Sequence, residues 1–152
     1  MPTQNQPATR DQRLAYVFLR VFTGFDFFGH GFARIFTGTH LAGFAQGMAK
    51  SMAAAPLPPQ LVLATGYVVP CVELIVGILL LTGVFVREAL LTASLLMLVL
   101  IFGVTMKQDW NVAGQQLLYA LVLALLLFAR EPYDISWPAL FRSSPAGNAS
   151  FW

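Results

Sequence analysis

The chain has 152 residues, of which 57% are hydrophobic and only 11% charged, with a formal net charge of +2. Soluble domains carry roughly 25% charged residues, so this composition points to an integral membrane protein and excludes an ordinary soluble enzyme. The small basic surplus is no nucleic-acid footprint; arginines at membrane borders account for it.

Residues 1–13 are polar, hold Pro2 and Pro7, and read as a disordered N-terminus. Four apolar stretches follow: Leu14–Phe36, Leu61–Thr82, Phe85–Met106 and Asn111–Ala129. Each is close to the roughly 20 residues that a helix needs to cross a bilayer core. The expected fold is all-α, an integral membrane bundle of four transmembrane helices. It forms a single domain over residues 14–130, with residues 131–152 as a cytoplasmic tail. The first stretch is too long for a signal-peptide core, and no small-residue cleavage pattern follows it, so it is expected to be retained.

That first stretch carries Asp26, His30 and Arg34 at four-residue spacing. At about 100° per residue these positions share a narrow arc with Thr23, and Arg20 lies at its edge. Phe18, Phe22, Phe25, Phe28, Phe32 and Phe36 take the opposite arc. A charge in the hydrocarbon core costs roughly 2.5–3.5 kcal/mol on insertion scales. The polar stripe is therefore expected inside the bundle and the phenylalanines outside it.

Between the first two stretches, Leu41, Phe44, Ala45, Met48 and Met52 recur at helical spacing before Pro56-Leu57-Pro58-Pro59. Residues 37–60 read as a short extracytoplasmic amphipathic helix in the interface, an anchor or a lid. In the second stretch Glu73 lies near the middle, and Cys71 follows Pro70 in an apolar run, where a buried, inert thiol is expected. A single cysteine excludes paired-cysteine redox chemistry within the chain. A tight turn at Thr82-Gly83-Val84 and a short link over 107–110 make consecutive helices antiparallel neighbours. The fourth stretch opens with a second polar stripe, Asn111, Gln115 and Tyr119, beside Gln116.

In a four-span topology Arg10, Arg13, Arg87, Arg130 and Arg142 share one side, against Arg34, Lys50 and Lys107 on the other. The positive-inside rule places the richer side, with both termini, in the cytoplasm. At about 1.5 Å of rise per residue, Asp26 and Glu73 meet near the bilayer midplane, with His30 and Arg34 progressively further out. With Asn111, Gln115 and Tyr119 they are expected to form an outward-open polar pocket floored by two carboxylates. The alternative is structural: Arg20 pairs with Glu73 and Asp26 with His30. Such pairs only fix helix register, at about 0.6 kcal/mol each.

Leu19-Arg20-Val21-Phe22-Thr23-Gly24, then Phe28-Gly29-His30-Gly31 with Arg34, then the series Glu73, Gly77, Gly83 and Arg87 resemble the DoxX family. That family comprises small four-helix bacterial membrane proteins and includes DoxD-like quinone oxidoreductase subunits. The resemblance runs from about Leu19 to Phe128, and in the family a lysine often stands where this chain has Arg34. It implies a multi-pass protein of the bacterial inner membrane that acts as a quinone-linked oxidoreductase subunit. On that reading His30 donates a hydrogen bond to a quinone carbonyl and is re-protonated, while Asp26 and Glu73 relay protons. Arg34 attracts an anionic reductant, and Arg20, Gln115, Tyr119 and Asn111 complete the quinone- or substrate-binding set.

With two histidines and one cysteine, no haem, iron–sulfur cluster or other metal site is expected. No dinucleotide-binding glycine fingerprint follows a strand. Electrons are then expected from a protein partner or a small donor. Beyond the lipid bilayer, the partners expected are that electron-supplying subunit and further copies of the chain, and not nucleic acid. Two other readings stay open. One is a non-catalytic anchor or assembly subunit of a larger complex; the other is a small proton-coupled transporter, since a midplane acidic pair also suits ion coupling.

Overall fold

The computed structural model describes residues 9–134. These form five helices: α1 (Arg10–Phe36), α2 (His40–Ser51), α3 (Pro59–Thr82), α4 (Val86–Met106) and α5 (Trp110–Tyr133), with no strand among the described residues. Of the N-terminus expected to be disordered over 1–13 and the tail expected over 131–152, residues 1–8 and 135–152, Arg142 included, lie outside them, while residues 10–13 and 131–133 are helical. Three helices are long and apolar enough to cross a membrane: α3, α4 and, over Trp110–Glu131, α5. α1 has the length, at 27 residues, but its charged groups keep it from meeting the same measure of apolarity.

α1 begins four residues before the expected Leu14, because a capping box starts it. The Thr9 side chain accepts from the Gln12 amide at 3.3 Å, and Gln12 Oε1 accepts from the Thr9 amide at 2.9 Å. Asp11 in its first turn and Arg34 in its last suit the helix dipole.

The bundle is organised around the pairing of α1 with α3. Glycines let these backbones meet. Gly77 of α3 lies directly against the backbone of Phe28, and a Cβ at Gly31 of α1 would stand 2.7 Å from the Pro70 carbonyl oxygen. Small residues at such crossings are how membrane helices gain van der Waals contact, since lipid offers no hydrophobic drive for helix association. α3 stops at Gly83, whose φ of 73° makes a left-handed cap, its N–H donating to the Leu79 carbonyl at 3.0 Å. α4 then returns antiparallel. Phe27, Val76, Leu80, Leu90, Leu123 and Leu126 are buried together at the centre of the four long helices.

α2 falls within the expected interfacial segment. It rests on the start of α3, with a fully buried Ala45 against Gly66, and Met52 approaches Gly103 near the end of α4. Phe18, Phe22, Phe25, Phe32 and Phe36 are exposed along one face of α1, as the two-arc pattern requires. Phe28 departs from that pattern and is half-buried, because its turn of helix carries the Gly77 contact. Cys71 corrects another expectation. It is exposed, its thiol donating to the Tyr67 carbonyl at 3.4 Å, because Pro70 and Glu73 take the inner face of α3 and turn position 71 outward.

Candidate functional site: a polar cavity among four helices

Glu73 is 3% exposed, inside the apolar α3 and nine residues from its end at Thr82. A carboxylate there needs a partner, and Arg34, in the last turn of α1, supplies it through a close ion pair. The Arg34 guanidinium also lies 4.8 Å from the centroid of the Phe44 ring on α2. One arginine therefore ties α1, α2 and α3 together at the α2 end of the bundle.

One and two turns back along α1 stand His30 and Asp26. Asp26 Oδ1 accepts from Tyr119 Oη of α5 at 3.3 Å and lies 3.7 Å from His30 Nε2. These groups and the Arg34–Glu73 pair line one cavity of about 270 Å³. Gln115 and Gln116 of α5 add amides to its wall, and Phe27, Met97, Leu100 and Val112 close it with apolar surface. Four helices thus contribute to one partly enclosed polar space, and the stripe expected wholly inside the bundle is only partly so, with the side chains of His30 and Asp26 47% and 38% exposed.

Of the expected site residues, Asp26, His30, Arg34, Glu73, Gln115 and Tyr119 come together here. Arg20 and Asn111 do not. Arg20 is buried at the opposite end, where Nη1 donates to Asp134 Oδ1 at 2.9 Å and the guanidinium packs under Gly83. Fourteen residues of helix separate it from Arg34, a distance of about 21 Å, which no side chain spans. Burial pushes the Asp134 carboxyl above its usual range, and Arg20 and Arg130 pull it back only in part. Asn111 is exposed at the start of α5 and lines the α4–α5 turn with Lys107, Gln108 and Asp109, while the cavity wall begins at its neighbour Val112. The structural alternative divides in the same way. Asp26 and His30 are neighbours, whereas Glu73 belongs to Arg34 and not to Arg20.

Gln116 and Phe44, legible in the sequence only as a neighbour of the polar stripe and as part of an apolar helix face, also reach the site. The Gln116 Oε1 is buried with no hydrogen-bond partner among the described residues, an acceptor held at the cavity wall. Its three-residue spacing from Tyr119 was the available signal, masked by the cleaner four-residue stripe through Gln115. Phe44 carried only an apolar signal, and its contact with Arg34 exists only once α2 has docked.

The donor set is broad: a guanidinium, a phenol, an imidazole and two amides, with two carboxylates as acceptors. Such a wall holds a small polar group by hydrogen bonds from several sides and keeps acidic groups beside it. The family model described as DoxX matches residues 15–106, which include Asp26, His30, Arg34 and Glu73 but not the α5 wall. No curated protein and no solved structure matches the chain.

Proposed function

The chain belongs to the DoxX family, and on that premise we propose that this membrane protein is a redox subunit that binds quinone in the four-helix polar cavity. α1 is then the fourth span, both termini lie in the cytoplasm and α2 lies outside it, in a bacterial inner membrane. One observation carries the reading. Asp26, His30 and Tyr119 share a single cavity with the Arg34–Glu73 pair.

A bound quinone supplies the two-electron acceptor, with electrons from a partner subunit or a small donor. The chain's own residues do the rest. His30 and Gln115 offer donors to carbonyl oxygen, and Tyr119 offers another once its O–H turns from Asp26. Asp26, within reach of both Tyr119 and His30, is the carboxyl placed to pass protons to and from those donors. Glu73 is engaged by Arg34, so its first task is to fix that arginine in the wall. Arg34 keeps positive charge at the α2 end, where it favours an anionic donor.

The test begins with protein purified from its native membranes. It is expected to carry quinone in fixed ratio to protein. In those membranes, His30→Ala and Asp26→Asn should lower quinone-dependent turnover by about 10²-fold, the usual cost of losing a general acid–base group. Glu73→Gln should keep the fold, because the amide oxygen still accepts from Arg34.

A second reading, a non-catalytic anchor subunit, is favoured by the internal pairing of the charges and by the exposed phenylalanine row on α1. It wins if the preparation is free of quinone yet holds a partner protein in constant stoichiometry through Asp26→Asn and Glu73→Gln.

A further inference from the structure

On the side where α1 and α5 face each other, the polar cavity adjoins a second space. α1 packs mainly on α3, and along the α1–α5 seam a groove of about 580 Å³ opens to the outer surface of the bundle. Its walls are Leu19, Phe22 and Thr23 on α1 and Leu118 and Val122 on α5, and Phe22 and Leu118 are 68% and 64% exposed. Three further residues, Asp26, Gln115 and Tyr119, line both the groove and the polar cavity. The two spaces therefore adjoin, one polar and the other mostly apolar, with the Asp26–Tyr119 hydrogen bond standing between them.

Size separates their roles. Small-molecule sites usually span roughly 300–1,000 Å³. At about 270 Å³ the polar cavity holds a ring or other compact head group and leaves no room for a long chain. A second apolar pocket beneath α2, lined by Met48, Met52 and Phe102 among others, shares only Leu100 with the polar cavity. The α1–α5 groove shares three polar residues, so it is the nearer way out, opened by a swing of the Tyr119 side chain away from Asp26.

Resting on the quinone reading above, we infer that the ligand is an amphiphile drawn sideways from the bilayer. Its head lies among Asp26, His30 and Tyr119, and its isoprenoid-type chain runs out through the α1–α5 groove into lipid. Chain atoms lose little and gain little on moving from lipid into this groove, because both are apolar. The groove therefore acts as a passage that a long chain must occupy, rather than as a source of affinity. Blocking it should penalise a ligand with a chain and spare one without.

The test compares two benzoquinones with the same ring, one bearing a decyl chain and one a methyl group. Each is titrated against the full chain in lipid nanodiscs. Leu118→Trp narrows the groove from an exposed position, and Phe102→Trp fills the pocket beneath α2 as a control. Leu118→Trp should weaken the decyl ligand by about tenfold, the scale of a bulky residue forced into occupied space, and leave the methyl ligand unchanged. Phe102→Trp should change neither. Equal behaviour of the two ligands in Leu118→Trp, or a chain-dependent loss in Phe102→Trp instead, overturns the passage and leaves the quinone site standing. Failure of wild-type protein to bind either ring saturably overturns the quinone site, and the passage with it.

Discussion

Burial of charge separates two arginines that share a helix. Arg34 reaches the cavity and engages Glu73; Arg20, nearly as buried as Glu73, closes the other end against Asp134. Removing one partner of a buried pair costs about 3–5 kcal/mol, because the other charge is left stranded. Arg20→Ala should therefore destabilise the protein at neutral pH without touching the cavity. The deficit has a definite pH sign. Asp134 already sits above its usual range through burial, and losing Arg20 raises it further. A raised carboxyl favours the folded state below its unfolded value and disfavours it as pH rises through the folded value. The Arg20→Ala deficit should shrink toward acidic pH and be full at neutral pH, as measured by thermal unfolding across that range. A deficit that grows on acidification would contradict the assignment. The Asp26–His30–Arg34 stripe was legible at this scale because helical periodicity alone aligns it. The Arg20–Asp134 pair was not, since it joins residues 114 apart and needs the end of α5 to fold back beside α1.

Between elements, the glycines explain why α1 and α3 lie close enough for Arg34 to reach Glu73. Gly77→Val places a branched side chain where the Phe28 backbone lies. Overpacking of this kind costs roughly 1–3 kcal/mol, and here it also pushes the two helices apart. The variant should unfold at lower denaturant and lose quinone together, whereas Gly29→Ala, with open space around it, should do neither. Helix boundaries were read well wherever a turn signal was present, as at Gly83. The start of α1 was misplaced because the capping box at Thr9 precedes the apolar run. The face of Cys71 was misjudged because an apolar run shows no periodicity; only the inward turn of Pro70 and Glu73 decides it.

At the scale of the molecule, the apolar helices and the family match agree on a membrane protein, and the contacts bring one set of helix ends around Arg20 and the other around Arg34. The proposed topology puts Glu88 in the cytoplasm and Gln46 outside. In a Cys71→Ser background, Gln46→Cys should react with an impermeant maleimide on intact cells and Glu88→Cys only after lysis; the reverse pattern would invert the topology. A polar pocket was foreseeable from charge that lipid does not tolerate, and its α5 residues Gln115 and Tyr119 from their four-residue spacing; the groove that adjoins it along the α1–α5 seam follows from how α1 leans on α3, which sequence periodicity does not encode. The central claim, a quinone head held among Asp26, His30 and Tyr119, is tested most directly by photo-crosslinking an azido-quinone to the protein in nanodiscs and mapping the adducts by mass spectrometry. Adducts on α1 between residues 22 and 34 and on α5 between residues 112 and 122, displaced by excess quinone, are the expected result. Displaceable adducts confined to α2 or to the outer face of α4 would contradict it.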